Sequence, residues 1–146
     1  LEERFSHATV LHRVWDLVGD GKIFQFGIRS GDRSEFVWAK DHVFTNKFNF
    51  HGLKEIVDQL KEKPVYFTLD LDVLDPSVFP GTGTPEAGGV SFQELLEAMI
   101  QVSHLNIVGF DVNELSPVYD QSGSSTAMAC KVLRELLIAV MKNRAE

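Results

Sequence analysis

Val65-Tyr66-Phe67-Thr68-Leu69-Asp70-Leu71-Asp72-Val73-Leu74-Asp75-Pro76 joins a nearly unbroken apolar run to three carboxylates. The branched and aromatic residues from Val65 to Leu71 predict a strand, and an unbroken apolar strand belongs in a sheet covered on both faces. On such a strand Asp70 and Asp72 point to the same side, with Cα atoms about 6.6 Å apart, two rises of about 3.3 Å. Like charges held at a buried sheet edge repel, or one of them takes up a proton, unless a cation sits between them. A divalent metal, or a pair of them, resolves the conflict. The same Asp-x-Asp spacing is also compatible with a solvated loop, a helix N-cap region, or carboxylates satisfied by backbone N–H groups. Two other metal sites are excluded. Acidic residues at 70, 72 and 75 do not follow the opening of an EF-hand loop, whose bidentate Glu would fall on Gly81, and one cysteine, Cys130, cannot build a zinc finger.

Upstream of this strand, Leu53, Ile56, Val57 and Leu60 recur at helical spacing before Pro64. Ile23 to Ile28 and the weaker run His42 to Thr45 suit strands, with a short helix over Asp32 to Lys40 between them. Residues 9 to 18 place Val10, Val14, Leu17 and Val18 on one helical stripe, which Gly19-Asp20-Gly21 breaks. Downstream, Ser91 and Glu94 have capping-box spacing and open the stripe Phe92, Leu95, Leu96, Met99, Ile100. Asn106 to Val112 forms another buried strand, and Ser125 to Met141, carrying Cys130, Leu133, Leu137, Ile138 and Met141, a closing helix. Helices and strands therefore alternate. That order predicts an α/β fold, a three-layer αβα arrangement with a parallel sheet, in one domain over residues 1 to 146. Four strands are few for such a sheet, so it is expected to be incomplete, with further strands elsewhere. Ligands collect beyond the carboxyl ends of parallel strands, where the aspartates lie.

Composition narrows the chemistry. Fourteen Lys and Arg against 21 Asp and Glu leave a net charge of −7, and no basic cluster offers a grip on nucleic acid or an anionic membrane. A small cationic substrate suits this balance. Hydrophobic residues make up 44% of the 146, enough for a packed core. A lone cysteine, no Asn-x-Ser/Thr acceptor, no apolar run near the ~20 residues that span a bilayer, and the charged opening Leu1-Glu2-Glu3-Arg4 together predict a cytoplasmic protein without a signal peptide. Leu1 in place of an initiator Met predicts that the sequence begins inside a longer polypeptide.

After Pro76 comes Phe79-Pro80-Gly81-Thr82-Gly83-Thr84-Pro85-Glu86-Ala87-Gly88-Gly89, a loop whose glycines and prolines make a compact backbone. Joined to the carboxylates before it, the segment resembles the signature of the ureohydrolases, the arginase and agmatinase family, which hydrolyse guanidino groups at a dinuclear manganese centre. Gly81 within Pro-Gly-Thr-Gly-Thr-Pro is similar to agmatinases, where arginases usually carry Ala. Ile107-Val108-Gly109-Phe110-Asp111-Val112-Asn113-Glu114-Leu115-Ser116-Pro117 resembles the family's next strand end, in which the Glu matching Glu114 accepts hydrogen bonds from the substrate guanidinium. Gly27-Ile28-Arg29 resembles its Gly-Ile-Arg strand end, and Tyr119-Asp120-Gln121-Ser122 its Tyr-Asp-x-Ser loop. Ser6-His7-Ala8 is similar to the segment whose His is an acid/base group, with Ala8 a departure from the usual Gly. His12, His42, His51 and His104 match nothing in the family.

The resemblance implies an arginase-like fold of which this chain is the C-terminal portion. It implies two Mn²⁺ ions held in part by Asp70 and Asp72, His7 and Glu114 as catalytic residues, and Glu114 as the substrate-binding group. The family's remaining metal ligands, a lone His and an Asp-x-His-x-Asp segment, lie upstream of the position matching His7, and neither occurs in this chain. The expected reaction is hydrolysis of agmatine to putrescine and urea, a step of polyamine synthesis, with the upstream part of the domain present and the chain alone inactive. Arginase, guanidinobutyrase or formiminoglutamase chemistry is the alternative within the enzyme class. A truncated, non-catalytic binding or assembly module is the alternative outside it. The implied partners are a small guanidino cation, the missing N-terminal part, and further copies in a trimer or hexamer.

Overall fold

The computed structural model describes residues 5–145; the opening residues Leu1–Arg4 lie outside them. Helices α1 (Val10–Val18), α2 (Arg33–His42), α3 (Leu53–Leu60), α4 (Phe92–Val102) and α5 (Ser124–Ala145) alternate with strands β1 (Phe24–Ile28), β2 (Phe44–Lys47), β3 (Pro64–Asp70) and β4 (Asn106–Asn113). Both strand pairings are parallel, as the alternation predicts, but they form two separate two-stranded sheets, β1 with β2 and β3 with β4.

Local chemistry sets most boundaries. At α4, Ser91 accepts from the Glu94 N–H while Glu94 accepts from the Ser91 N–H at 2.7 Å, so the capping box forms as read. An equivalent box, Asp32 with Glu35, starts α2. Because that helix continues to His42, and Val43 still donates to Ala39, the following strand begins at Phe44 rather than at His42.

The core gathers Leu53 and Val57 of α3, Leu69 of β3, Leu95, Met99 and Val102 of α4, Ile107 of β4, and Val132, Leu136 and Val140 of α5, all buried. Burying residues of this kind contributes about 1.5–3 kcal/mol per side chain, which holds the three helices to the β3–β4 sheet. Val65, Phe67 and Leu69 turn inward, whereas Tyr66, Thr68 and Asp70 face away. The outward face is open among the described residues, with Tyr66 at 64% and Val108 at 60% exposure. An apolar run that reads as covered twice is here covered once.

Helix α5 departs from its reading in the same way. Its inward residues are Ser125, Ala129, Val132, Leu136 and Val140, while the bulkier stripe Leu133, Leu137, Ile138, Met141 is exposed. On α1, Val10, Leu17 and Val18 are exposed as well, and what packs is the opposite side. The Trp38 indole of α2 stacks on His12 of α1 at 4.5 Å and on His42 at 4.7 Å, and Trp15 meets it edge-on at 5.1 Å. Asp20, in the turn after α1, accepts from the Trp15 indole N–H at 2.8 Å and pairs with His42 at 2.7 Å. Two histidines without a role in the sequence thus join α1 to α2. No helix among the described residues is long and apolar enough to cross a membrane.

Candidate active site

Strand β3 ends at Asp70, and the chain then tightens into a 3₁₀ turn, Leu71–Val73. Asp72 lies on that turn, not on the strand, which corrects the expectation of two aspartates side by side along one strand face. The cause is local. Asp70 accepts the Asp72 N–H at 3.0 Å, an Asx-type bond that bends the backbone as soon as β3 stops pairing with β4 at Asp70↔Asn113. Satisfaction by a backbone N–H, one of the alternatives for this spacing, is therefore realised for one oxygen of Asp70. On the far side of the turn, the Thr84 hydroxyl reaches Asp72 Oδ2 at 3.4 Å.

The electrostatic conflict remains. Asp70's carboxyl is pushed up to about 7, first because neighbouring chain displaces water from it, then by the negative charges of Asp72 and Glu114, against the Asp72 N–H bond. Water still reaches its outer edge, since the residue is exposed.

Glu114 follows the last residue of β4 with φ of +66°, a left-handed conformation that side chains other than Gly rarely adopt. Holding a glutamate there costs about 1–3 kcal/mol, a strain typical of residues positioned for a ligand. Nothing in the sequence signals it. The backbone thus brings Asp70, Asp72 and Glu114 to one end of the β3–β4 sheet. His7 lies on another element: it opens a 3₁₀ turn, His7–Thr9, ahead of α1, and is exposed.

Two carboxylates that sequence reading left without a role shape the surrounding loops. Asp75 accepts from the N–H groups of Ser77, Gly88 and Gly89 at 3.0, 2.9 and 3.2 Å, which folds the Gly/Pro loop back on its stem. Asp120 is held well below the usual carboxylate range by the Ser122 hydroxyl and the Ser125 N–H. Ser125, fully buried, accepts from the Gly81 N–H at 2.9 Å. A Cβ on Gly81 would lie 2.6 Å from Ser125 Cβ, so Gly there is a steric requirement of this chain. Asp111, paired with Thr68 two register positions before Asp70 and on the same sheet face, stays below its ordinary range although burial opposes it, because Thr68, Tyr66 and Asn113 donate to it. The Asx and Ser pairs were readable as local motifs; their partners, up to 44 residues away, were not.

The arginase family model matches residues 1–139. The chain belongs to the arginase family. Among curated arginase-family relatives, an agmatinase of Bacillus anthracis is 45% identical over 145 residues, 96% of this chain and 50% of that protein. A Clostridium difficile protein provisionally described as an agmatinase superposes with a TM-score of 0.91 at 51% identity, over 94% of this chain and 51% of its own. The agmatine ureohydrolase of Thermoplasma volcanium superposes with a TM-score of 0.84 at 31% identity, over 99% and 51%. The chain spans about half the length of the relatives it matches, and its two small parallel sheets are an incomplete arginase-like α/β fold.

Asp70 and Asp72 offer hard carboxylate oxygens, the donors that manganese prefers, and the raised Asp70 supplies the electrostatic reason for a cation there. The donor type fits a divalent metal. The donor number does not complete one, because among the described residues no three His, Cys, Asp or Glu groups converge.

Proposed function

We propose that this chain is the C-terminal portion of a ureohydrolase domain and carries half of its active site. In that reading the complete protein hydrolyses agmatine to putrescine and urea. The single observation that supports it best is that Asp70, Asp72 and Glu114 lie at the same end of the β3–β4 sheet, with Asp70 raised first by desolvation and then by the charges of Asp72 and Glu114, in a chain whose relatives include an agmatinase at 45% identity.

Asp70 and Asp72 would hold a pair of Mn²⁺ ions jointly with His and Asp ligands from the upstream portion. When bound, those ions would supply Lewis acidity, which makes water more acidic. Glu114 pairs its planar carboxylate with the planar guanidinium through two N–H donors, which fixes the carbon to be attacked. Its left-handed backbone sets the direction in which the side chain leaves the sheet end. His7 passes a proton to the departing amine nitrogen, converting a poor leaving group into a neutral amine. His7 lies on the 3₁₀ turn ahead of α1, outside the β3–β4 sheet. Assembly into a trimer or hexamer and a cytoplasmic location belong to the same reading.

Joining the chain to its upstream portion and measuring urea release from agmatine, arginine and 4-guanidinobutyrate tests the substrate. Agmatine turned over at least tenfold faster than the others supports the agmatinase reading. Preference for arginine or the guanidino acid transfers the chain to a neighbouring branch, and urea from none of them supports the non-catalytic module.

A further inference from the structure

We infer that Arg29 is a positioning residue whose guanidinium sets the Asp70–Asp72 turn from its backbone side; the inference rests on the metal-binding reading of those aspartates. Arg29 follows β1, in the other sheet. Its Nη1 donates to the Val73 carbonyl at 3.0 Å and its Nη2 to the Asp72 carbonyl at 2.5 Å. Two donors of one rigid plane thus grip consecutive carbonyls, and a lysine has no such fork. Its Nε is buried and has no acceptor among the described residues, so those two carbonyls are what hold the group.

The placement has a chemical consequence. Arg29 lies beside the Asp70–Asp72 turn, yet forms no ion pair with either aspartate among the described residues. Its charge is directed at the backbone. Both carboxylates therefore remain available to another cation, while the turn that aims Asp72 is fixed from two sides, by Asp70 on the Asp72 N–H and by Arg29 on the Asp72 carbonyl. Gly27 permits the approach: at φ of +74° it lies so near the turn that a Cβ would stand 2.5 Å from Val73 Cγ2. Partners that orient ligands in this way commonly change metal affinity by about 10- to 100-fold when removed.

The test uses the protein with its upstream portion in place. Amide hydrogen exchange over residues 71–74 is measured without metal, and Mn²⁺ affinity by electron paramagnetic resonance of the free ion. Arg29→Gln is expected to speed exchange in that turn selectively and to weaken Mn²⁺ binding about 10- to 100-fold, with Arg29→Lys between it and the parent. Phe26→Leu, which loosens core packing from β1, the strand that Arg29 follows, is expected to leave both readouts near the parent. If Arg29→Gln and Phe26→Leu behave alike at matched stability, Arg29 is a structural tie and the inference is overturned. Should Asp70→Asn and Asp72→Asn keep full Mn²⁺ affinity while Arg29→Gln still frees the turn, the metal reading fails and the hold of Arg29 on the turn stands.

Discussion

At Gly81 the chain passes against the first turn of α5, and the nearest atoms, Ser125 Cβ and Oγ, belong to a fully buried residue that cannot move aside. Gly81→Ala is therefore expected to destabilise the folded protein by about 1–3 kcal/mol, as overpacking does, and denaturant unfolding reads it directly. A change below about 0.3 kcal/mol would mean that the loop accommodates the methyl group. Glu114 carries strain of the opposite kind. Glu114→Gly relieves a left-handed backbone at +66° and is expected to raise stability by about 0.5–1 kcal/mol while abolishing urea release. Gain of stability with loss of function is the pattern of a positioned ligand group; loss of both would make Glu114 a structural residue. Asp70 gives a pH signature. Its folded value of about 7 exceeds the ordinary 3.8, so the fold binds a proton more tightly than the unfolded chain does. In metal-free protein that group therefore stabilises below about pH 4, and its contribution declines as pH rises toward 7. Thermal unfolding of Asp70→Asn across this window is expected to lack that decline, and parallel curves for variant and parent would remove the basis for a cation at this turn.

Elements were legible where their signals are local. Ser91 with Glu94 and the period of Leu53, Ile56, Val57 and Leu60 mark α4 and α3 without reference to distant chain. The end of β3 was not, because a carboxylate two residues upstream captures the Asp72 N–H and turns the backbone that spacing alone would extend. The inward face of α5 was hidden for another reason: its small residues, Ala129 and Val132, meet the core while Leu137 and Met141 face out. Size ranks hydrophobicity, but the direction a helix faces depends on what surrounds it. Asp20 joins α1 to α2 by holding the Trp15 indole and His42, and both tryptophans of the chain sit in that cluster. Asp20→Asn is expected to shift tryptophan emission to longer wavelength by loosening the cluster. Unchanged emission would show that stacking on Trp38 holds α1 unaided.

For the molecule as a whole, the family was readable, because two of the candidate site's carboxylates and the loop after them occupy one continuous segment, Leu69 to Gly89. What the sequence could not convey is how much of the surface awaits a neighbour. Tyr66 and Val108 on the open sheet face, Leu17 on α1 and Met141 on α5 are all 60% exposed or more. The chain expressed alone is therefore expected to unfold at least 10 °C below the protein that includes its upstream portion, with no response to Mn²⁺; a cooperative transition at the same temperature would favour a self-standing module.

The most direct measurement is manganese content, by elemental analysis, of the complete protein and its Asp70→Asn variant. On the proposed reading, metal and urea release are expected to disappear together, since Asp70 is one of the two proposed metal ligands in this chain. A variant that retains its manganese would contradict the assignment of this sheet end as the metal site.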